Sequence, residues 1–322
     1  MKLFFVCMLV VAGLLAGVVA VNGNGESEQP ALGLPPVPVP AGNPQTAAKI
    51  ALGALLFNDT RFSSTGEVSC ATCHDAGKAF TDSPLKTSEG INKLTGTRNA
   101  PTVVNAAYMK TQFWDGRSKD LVAQAKEPIL NPIEMGMPDE QTVEKKIRGI
   151  PEYQELFSVA FPNAKQAITY QHLAEAIAAF ERTLMTPSRF DDFLNGDARA
   201  LTRSEQQGLK TFIKRDCKSC HDGVLLGGEA LETLGKENPY DNQSDQGLYA
   251  LTKNEEDRMV FKTSTMRNVA LTAPYFHDGK IKTLPEAVQL MGKLQLDVEL
   301  TEQEVKDITS FLEALTDKTR EK

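Results

Sequence analysis

Two pentapeptides constrain this chain more than anything else in it: Cys70-Ala71-Thr72-Cys73-His74 and Cys217-Lys218-Ser219-Cys220-His221. A bare C-x-x-C fits half a zinc site or a dithiol redox pair. Here each pair is followed at once by His, and the one other cysteine, Cys7, lies in an N-terminal apolar run. The remainder of the chain therefore lacks the thiols for a closed thiolate site. C-x-x-C-H is instead the attachment signature of c-type haem, in which both thiolates add across the porphyrin vinyl groups and the His binds iron. The reading is two covalently bound haem c groups, with Cys70, Cys73, Cys217 and Cys220 as anchors and His74 and His221 as axial iron ligands.

The N-terminus agrees with this chemistry. Lys2 precedes an apolar run from Leu3 to Val21, with Val18 and Ala20 at the −3 and −1 positions of a leader-cleavage site. Covalent haem attachment takes place outside the bacterial inner membrane, so residues 1–20 read as a cleaved signal peptide and the protein as periplasmic. An uncleaved membrane anchor is the alternative, since the run is nearly long enough to span a bilayer. Residues 21–44 are rich in Gly, Glu and Pro and read as an extended linker. The rest suits two domains, 45–194 and 195–322. The formal net charge is −7, more negative still once Lys2 leaves with the leader. That acidity argues against nucleic acid and suits a small electron-transfer partner.

The halves echo each other. Leu52-Gly53-Ala54-Leu55-Leu56-Phe57 precedes the first motif and Gly208-Leu209-Lys210-Thr211-Phe212 the second. Downstream, Arg98-Asn99-Ala100-Pro101 and Phe113-Trp114-Asp115-Gly116 match Arg267-Asn268-Val269-Ala270 and Phe276-His277-Asp278-Gly279. Glu134-Met135-Gly136 then answers Leu290-Met291-Gly292. Each half closes with one apolar helical stripe, Ile177–Leu184 and Ile308–Leu315, the second preceded by the capping box Thr301–Glu304. The predicted fold is mostly α, with two tandem cytochrome c-type haem domains.

Function should lie where the halves differ. Met291 follows His221 at a distance that suits a thioether sixth ligand, with Met266 in competition; a core-filling role is the bland reading of both. In the first half the stretch from the Phe-Trp-Asp-Gly turn to the Met-Gly pair is longer, Glu134 replaces Leu290, and Trp114 replaces His277. A longer loop allows Glu134, rather than Met135, to stand over an open iron, where a carboxylate can move a proton between the two oxygens of a peroxide. Alternatively Met135 closes the first iron and Glu134 is solvated, which leaves a two-haem electron carrier.

These blocks, together with Gly96–Thr102, Asn131–Met135 and Leu271–Gly279, resemble the bacterial dihaem cytochrome c peroxidases and, more loosely, MauG-type proteins, from about Gln45 to the C-terminus. The resemblance implies a peroxidatic haem on His74, with Glu134 and Gln124 over the bound peroxide. It implies an electron-accepting haem on His221 and Met291, with Trp114 on the path between the two. It further implies a calcium ion held by Asn99, Thr272 and Pro274, a homodimer, and a small cytochrome c or cupredoxin as donor. His277 is expected against a haem propionate, and His172 in a surface or capping role. One departure stands out: Ile91 occupies the place of a distal His that closes the peroxidatic iron in many relatives, so the first iron is expected to be open, or water-bound, in the oxidised protein. The expected reaction is reduction of hydrogen peroxide to water. A non-catalytic dihaem electron carrier and a MauG-like oxidase of a protein partner are the alternatives, the latter calling for Tyr275 or Tyr249 in place of Met291.

Overall fold

The computed structural model describes residues 33–320. The expected signal peptide and the start of the linker lie outside them. Among the described residues eleven α-helices follow one another: α1 (Ala47–Asn58), α2 (Cys70–Cys73), α3 (Leu121–Leu130), α4 (Glu140–Arg148), α5 (Pro151–Ala160), α6 (Tyr170–Glu181), α7 (Arg189–Leu194), α8 (Arg203–Lys214), α9 (Tyr249–Thr252), α10 (Leu284–Leu296) and α11 (Glu302–Glu313). The only sheet among them is an antiparallel pair, β1 (Leu231–Thr233) with β2 (Val260–Lys262). The fold is mostly helical, as predicted. No described helix is long and apolar enough to cross a membrane.

The longer helices begin where the sequence supplies a cap. Thr46 accepts a bond from Lys49 N at the start of α1, and Thr169 from His172 N at the start of α6. Thr202–Glu205, Thr283–Glu286 and Thr301–Glu304 form full capping boxes on α8, α10 and α11, satisfying N–H groups that a helix end leaves unpaired. The helices pack in corresponding pairs, α1 along α6 and α8 along α11. Glycine sets the contact in both. A methyl group on Gly53 would stand 1.9 Å from the Ala176 carbonyl oxygen, and one on Gly208 1.9 Å from that of Asp307. Only a residue without Cβ lets the two backbones come so close.

Around these pairs lie two apolar cores. Leu52, Phe57, Phe157, Leu173 and Ile177 are central to the first, and Phe190, Phe212, Phe311, Leu312 and Leu315 to the second. Each such side chain, fully buried, contributes about 1.5–3 kcal/mol of transfer free energy. The described end of the Pro-rich segment runs along the first core. Pro35 O accepts from the Tyr108 hydroxyl at 2.6 Å, and the buried Asn43 is held by Lys49, Glu175 and Arg182.

The duplication is present in the backbone, with a register that corrects two of the sequence matches. Phe113 and Phe276 have φ of 66° and 68°, Gly116 and Gly279 of 68° and 60°, and each turn is closed by one bridge, Gln112 to Ser118 and Tyr275 to Ile281. Counting back from these turns, the partner of Asn268 is Asn105, not Asn99. Both are left-handed, at φ 61° and 63°, and each N–H bonds a carbonyl just past its closing helix, at Leu315 O and Leu184 O. Counting forward, the N-caps Asp120 and Thr283 coincide, so Met291 on α10 corresponds to Pro128 on α3, not to Met135. Glu134 and Met135 fall in the turn after α3, which ends at Leu130, whereas α10 continues to Leu296.

Candidate functional site

Each C-x-x-C-H motif folds into a tight turn that brings its His back beside the first Cys. His74 N bonds Cys70 O at 2.9 Å and His221 N bonds Cys217 O at 3.1 Å. The four cysteines are partly buried and none is in a disulfide. Both rings are then fixed alike: His74 Nδ1 donates to Phe80 O and His221 Nδ1 to Ser264 O, each at 3.1 Å. A carbonyl can only accept, so Nδ1 carries the proton and Nε2 keeps its lone pair for a metal. Burial also pushes both imidazoles below their ordinary pKa, towards the neutral form a metal requires.

Beside the second motif lies an apolar cavity lined by Cys217, Cys220, His221, Leu284, Leu300 and Leu312, with both Met266 and Met291 on its wall. His277 also lines it, and both of its ring nitrogens are buried without a hydrogen-bond partner. Orphaned buried nitrogens need an explanation. The acidic edge of a haem seated on His221 provides one, so the residues present fit the group. Tyr275 reaches the same cavity, but its hydroxyl is already donated to Val269 O at 3.1 Å, and Tyr249 is not on the wall. Neither sulfur is matched in the first half, where Pro128 and Val103 stand at the positions of Met291 and Met266.

Around the first motif the polar groups are carboxyls. Glu134 is half-buried, Asn131 Nδ2 donates to its Oε1 at 2.7 Å, and its charge acts on both Cys70 and Cys73. Burial raises its pKa against the opposing pull of Arg117. Arg117 itself is held by Asp115 and Glu127. The loop carrying Ile91 packs directly on the Glu134 turn: Ile91 N bonds Glu134 O at 2.9 Å, and a Cβ on Gly90 would stand 2.0 Å from Ile133 O. Ile91 is buried and Met135 lies in the same core. A shallow cleft lined by Cys73, Asp82, Glu89, Gly90 and Asn92 opens beside them. Gln124 is half-buried on α3. His172 stands apart, with its ring stacked on Phe161 and Nδ1 bonded to Ala167 O at the start of α6.

Trp114 and Asn99 lie on the seam between the halves. Trp114 Nε1 donates to Asn99 O at 2.8 Å, its ring lies 6.4 Å from that of His277, and Asn99 N donates to His277 O at 2.7 Å. Asn99 Nδ2 reaches the carbonyls of Leu85 and Lys86. Among the described residues no hydrogen bond ends on Asn99 Oδ1 or on the carbonyls of Thr272 and Pro274, and no cluster of three or more His, Cys, Asp or Glu is arranged for a metal. Calcium there would rest on neutral oxygens, which hard cations accept.

Three features of the site escaped sequence reasoning. Arg98 binds Asp245 through two bonds of 2.5 and 2.9 Å and Asp115 through a third, clamping the halves together. Lys262, also on the seam, donates to Thr111 O, and burial pulls its pKa down to about 8. Glu181, at the end of α6, is buried with Oε2 unpartnered. Its sequence signal was available: it is the carboxyl that answers Leu312.

Known proteins carry the same plan. The profile of the family described as di-haem cytochrome c peroxidase matches residues 47–199. The chain is 43% identical over 282 residues to the cytochrome c551 peroxidase of Pseudomonas aeruginosa, covering 86% of this chain and 81% of that one. It is 42% identical to that of Nitrosomonas europaea, covering 87% and 83%. A crystal structure of a MauG-like protein associated with microbial copper homeostasis superposes with a TM-score of 0.81 at 30% identity, over 93% of this chain and 96% of that one. With both attachment motifs and the fold around them in place, the chain belongs to the di-haem cytochrome c peroxidase family.

Proposed function

We propose that the protein is a dihaem cytochrome c peroxidase, reducing hydrogen peroxide with two protons and two donor electrons to two waters. One observation carries the reading. A half-buried carboxyl, Glu134, sits in the turn packed on Gly90 and Ile91 beside the first attachment motif, while the thioethers Met266 and Met291 line the cavity of the second. Haem bound at His74 and His221 supplies the electron-transfer chemistry. Glu134 supplies the proton traffic: its carboxylate takes a proton from one peroxide oxygen and returns it to the oxygen that leaves as water. Asn131 fixes the orientation of that carboxylate. Gln124, on the helix before it, is assigned to the same pocket, and Trp114, edge-on to His277, to the electron path. His277 would bind a propionate of the second haem, and Met291 its iron, with Met266 the rival ligand. The two haem domains are 45–194 and 195–322.

The resemblance also supports a periplasmic, exported protein, a homodimer, a calcium ion on Asn99, Thr272 and Pro274, and a small cytochrome c or cupredoxin as donor. With Ile91 buried where the resemblance places a distal His, haem held by His74 would have its iron open, or water-bound, before any reduction. Electron paramagnetic resonance of the oxidised holoprotein should therefore contain a high-spin ferric component. Two low-spin signals alone would mean a closed electron carrier.

The direct test is steady-state peroxide turnover with a panel of reduced cytochromes c. Turnover with at least one donor is expected. Oxidation of a protein partner without donor turnover would favour the MauG-type reading, which the engaged hydroxyl of Tyr275 already disfavours.

A further inference from the structure

Glu181 is a buried carboxyl that the peroxidase reaction does not use. It is 4% exposed, no hydrogen bond reaches either side-chain oxygen, and Oε2 is fully enclosed. A buried ionisable group without a partner is costly, so its presence calls for a function. The repeat says where it faces. The helix pairs fix Ala176 against Asp307 and Phe180 against Phe311, because Gly53 and Gly208 meet those residues in the same order. One residue further on, Glu181 corresponds to Leu312, and Leu312 lines the cavity of the second motif. Its neighbour Phe180 packs at 5.3 Å on Phe57, which in turn lies 6.4 Å from the His74 ring. Glu181 also acts electrostatically on Cys70. By this correspondence Glu181 faces the side of the first motif, close enough to act on an attachment cysteine, where the second half has a hydrocarbon.

We infer that Glu181 is a redox-linked carboxyl of the first haem, lowering the reduction potential of that haem when ionised and taking up a proton when it is reduced. The inference rests on the reading of His74 as a haem ligand, but not on peroxide chemistry. In balance, the ferric haem gains one electron from the donor, and the carboxylate gains one proton from solvent to become the neutral acid. A negative charge in a low-dielectric wall favours the more positive ferric state, and reduction removes the charge that kept the carboxyl ionised. Burial raises the Glu181 pKa to about 8, with Arg182 opposing, which puts the exchange in an accessible range.

Of the charged groups on the elements packed against α6, Glu140 and Lys145 of α4 are exposed and Lys146 donates to Ser63 O, while the others are engaged elsewhere. Lys49 on α1 is held by Asn43 and lies near Glu175, Glu127 on α3 binds Arg117, Lys126 lies over the Tyr170 ring, and Glu144 on α4 binds Tyr170 N and Arg148. Arg182, next in sequence, donates to Gln45 and Asn43. It is the charge that bears on Glu181.

The test is a spectroelectrochemical titration of the holoprotein, wild type and Glu181→Gln, at pH 6 and pH 9. At pH 9 the variant should favour the reduced first haem by about tenfold, equivalent to about 59 mV for one electron. At pH 6, where the carboxyl is neutral, the two proteins should agree, and the second haem should shift at neither pH. Leu312→Glu should transfer the effect, lowering the second potential at pH 9. An equal shift at both pH values would mean repacking, and no shift at pH 9 would mean no charge; either overturns the inference. If Glu181→Gln fails to take up haem, the wild type decides: the first potential must fall more steeply between pH 6 and pH 9 than the second, and parallel slopes overturn it. Loss of peroxide turnover changes none of these readouts.

Discussion

The two pockets share a frame and differ in what faces into it. Both fix an imidazole through Nδ1 to a backbone carbonyl at 3.1 Å, and both pack glycine against a carbonyl at the same ideal Cβ distance of 1.9 Å. Within that frame Met291, Met266 and Leu312 of the second half correspond to Pro128, Val103 and Glu181 in the first, while Trp114, the counterpart of His277, reaches across to line the second cavity. Glu134 has no counterpart at all, because it lies beyond the point where α3 stops and α10 continues. At these positions the first half carries the carboxyls Glu134 and Glu181, and the second the thioethers Met266 and Met291. The duplicated backbone positions the group to be bound, and a few side chains decide whether that group faces protons or sulfur.

Glu134→Gln breaks this contrast most severely. Removing the proton carrier should lower peroxide turnover by about 10²–10⁴-fold while both haem spectra stay near wild type. Near-normal turnover would reject the acid–base role. The pH profile sharpens the same point. The carboxylate must be ionised before it can take the peroxide proton, and burial raises its pKa above the ordinary range. Hence kcat/KM should rise with pH through that pKa, and the rise should be missing from the residual activity of Glu134→Gln.

Arg267 tests an asymmetry in stability. Its first-half counterpart is Val104, yet Arg267 is buried and binds Asp191 through bonds of 2.8 and 2.7 Å. Arg267→Met strands a buried carboxylate and should cost about 3–5 kcal/mol, measured by denaturant unfolding of the holoprotein. Adding Asp191→Leu should recover much of that loss, whereas an additive further loss would mean that the pair is not one unit. Gly53→Ala and Gly208→Ala should each cost about 1–3 kcal/mol, because the obstruction is a backbone carbonyl that has to move. Unequal losses would show that the duplicated helix contacts are not equivalent.

How legible was this from the sequence? The attachment motifs were, because covalent chemistry forces Cys, Cys and His into contiguous positions. The helical class and the Thr301–Glu304 capping box were legible for the same reason, being local. Register was not. Arg98-Asn99 looks like Arg267-Asn268, but the left-handed φ of Asn105 and its bond to Leu184 O identify the true partner. The first-half partner of Met291 was likewise displaced, because a shared Met-Gly pair outweighed helix length in the comparison. Contacts that span the chain were out of reach. Arg98 and Asp245 are 147 residues apart, and nothing in either neighbourhood announces the other. Glu181 differs again: its match to Leu312 was a sequence signal, but at the end of a helix a carboxyl reads as solvated until its burial is seen.

The smallest effect compares the caps of the two leading helices. Thr46 on α1 accepts one bond, from Lys49 N at 3.2 Å, with no reciprocal carboxylate. Thr202 on α8 is half of a box: Glu205 Oε2 accepts from Thr202 N at 2.7 Å while Arg189 binds the same carboxylate at 2.7 and 2.8 Å. Cap substitutions cost about 0.5–2 kcal/mol. Thr46→Ala should fall near the lower end. Thr202→Ala should fall near the upper end, because the hydroxyl helps to hold the helix start to which the Glu205–Arg189 pair is anchored. Thermal unfolding of the two holoprotein variants side by side measures the difference. If Thr46→Ala is the more damaging, then α1 depends on its cap more than α8 does, despite the simpler arrangement, and the box adds nothing that the ion pair with Arg189 does not already provide.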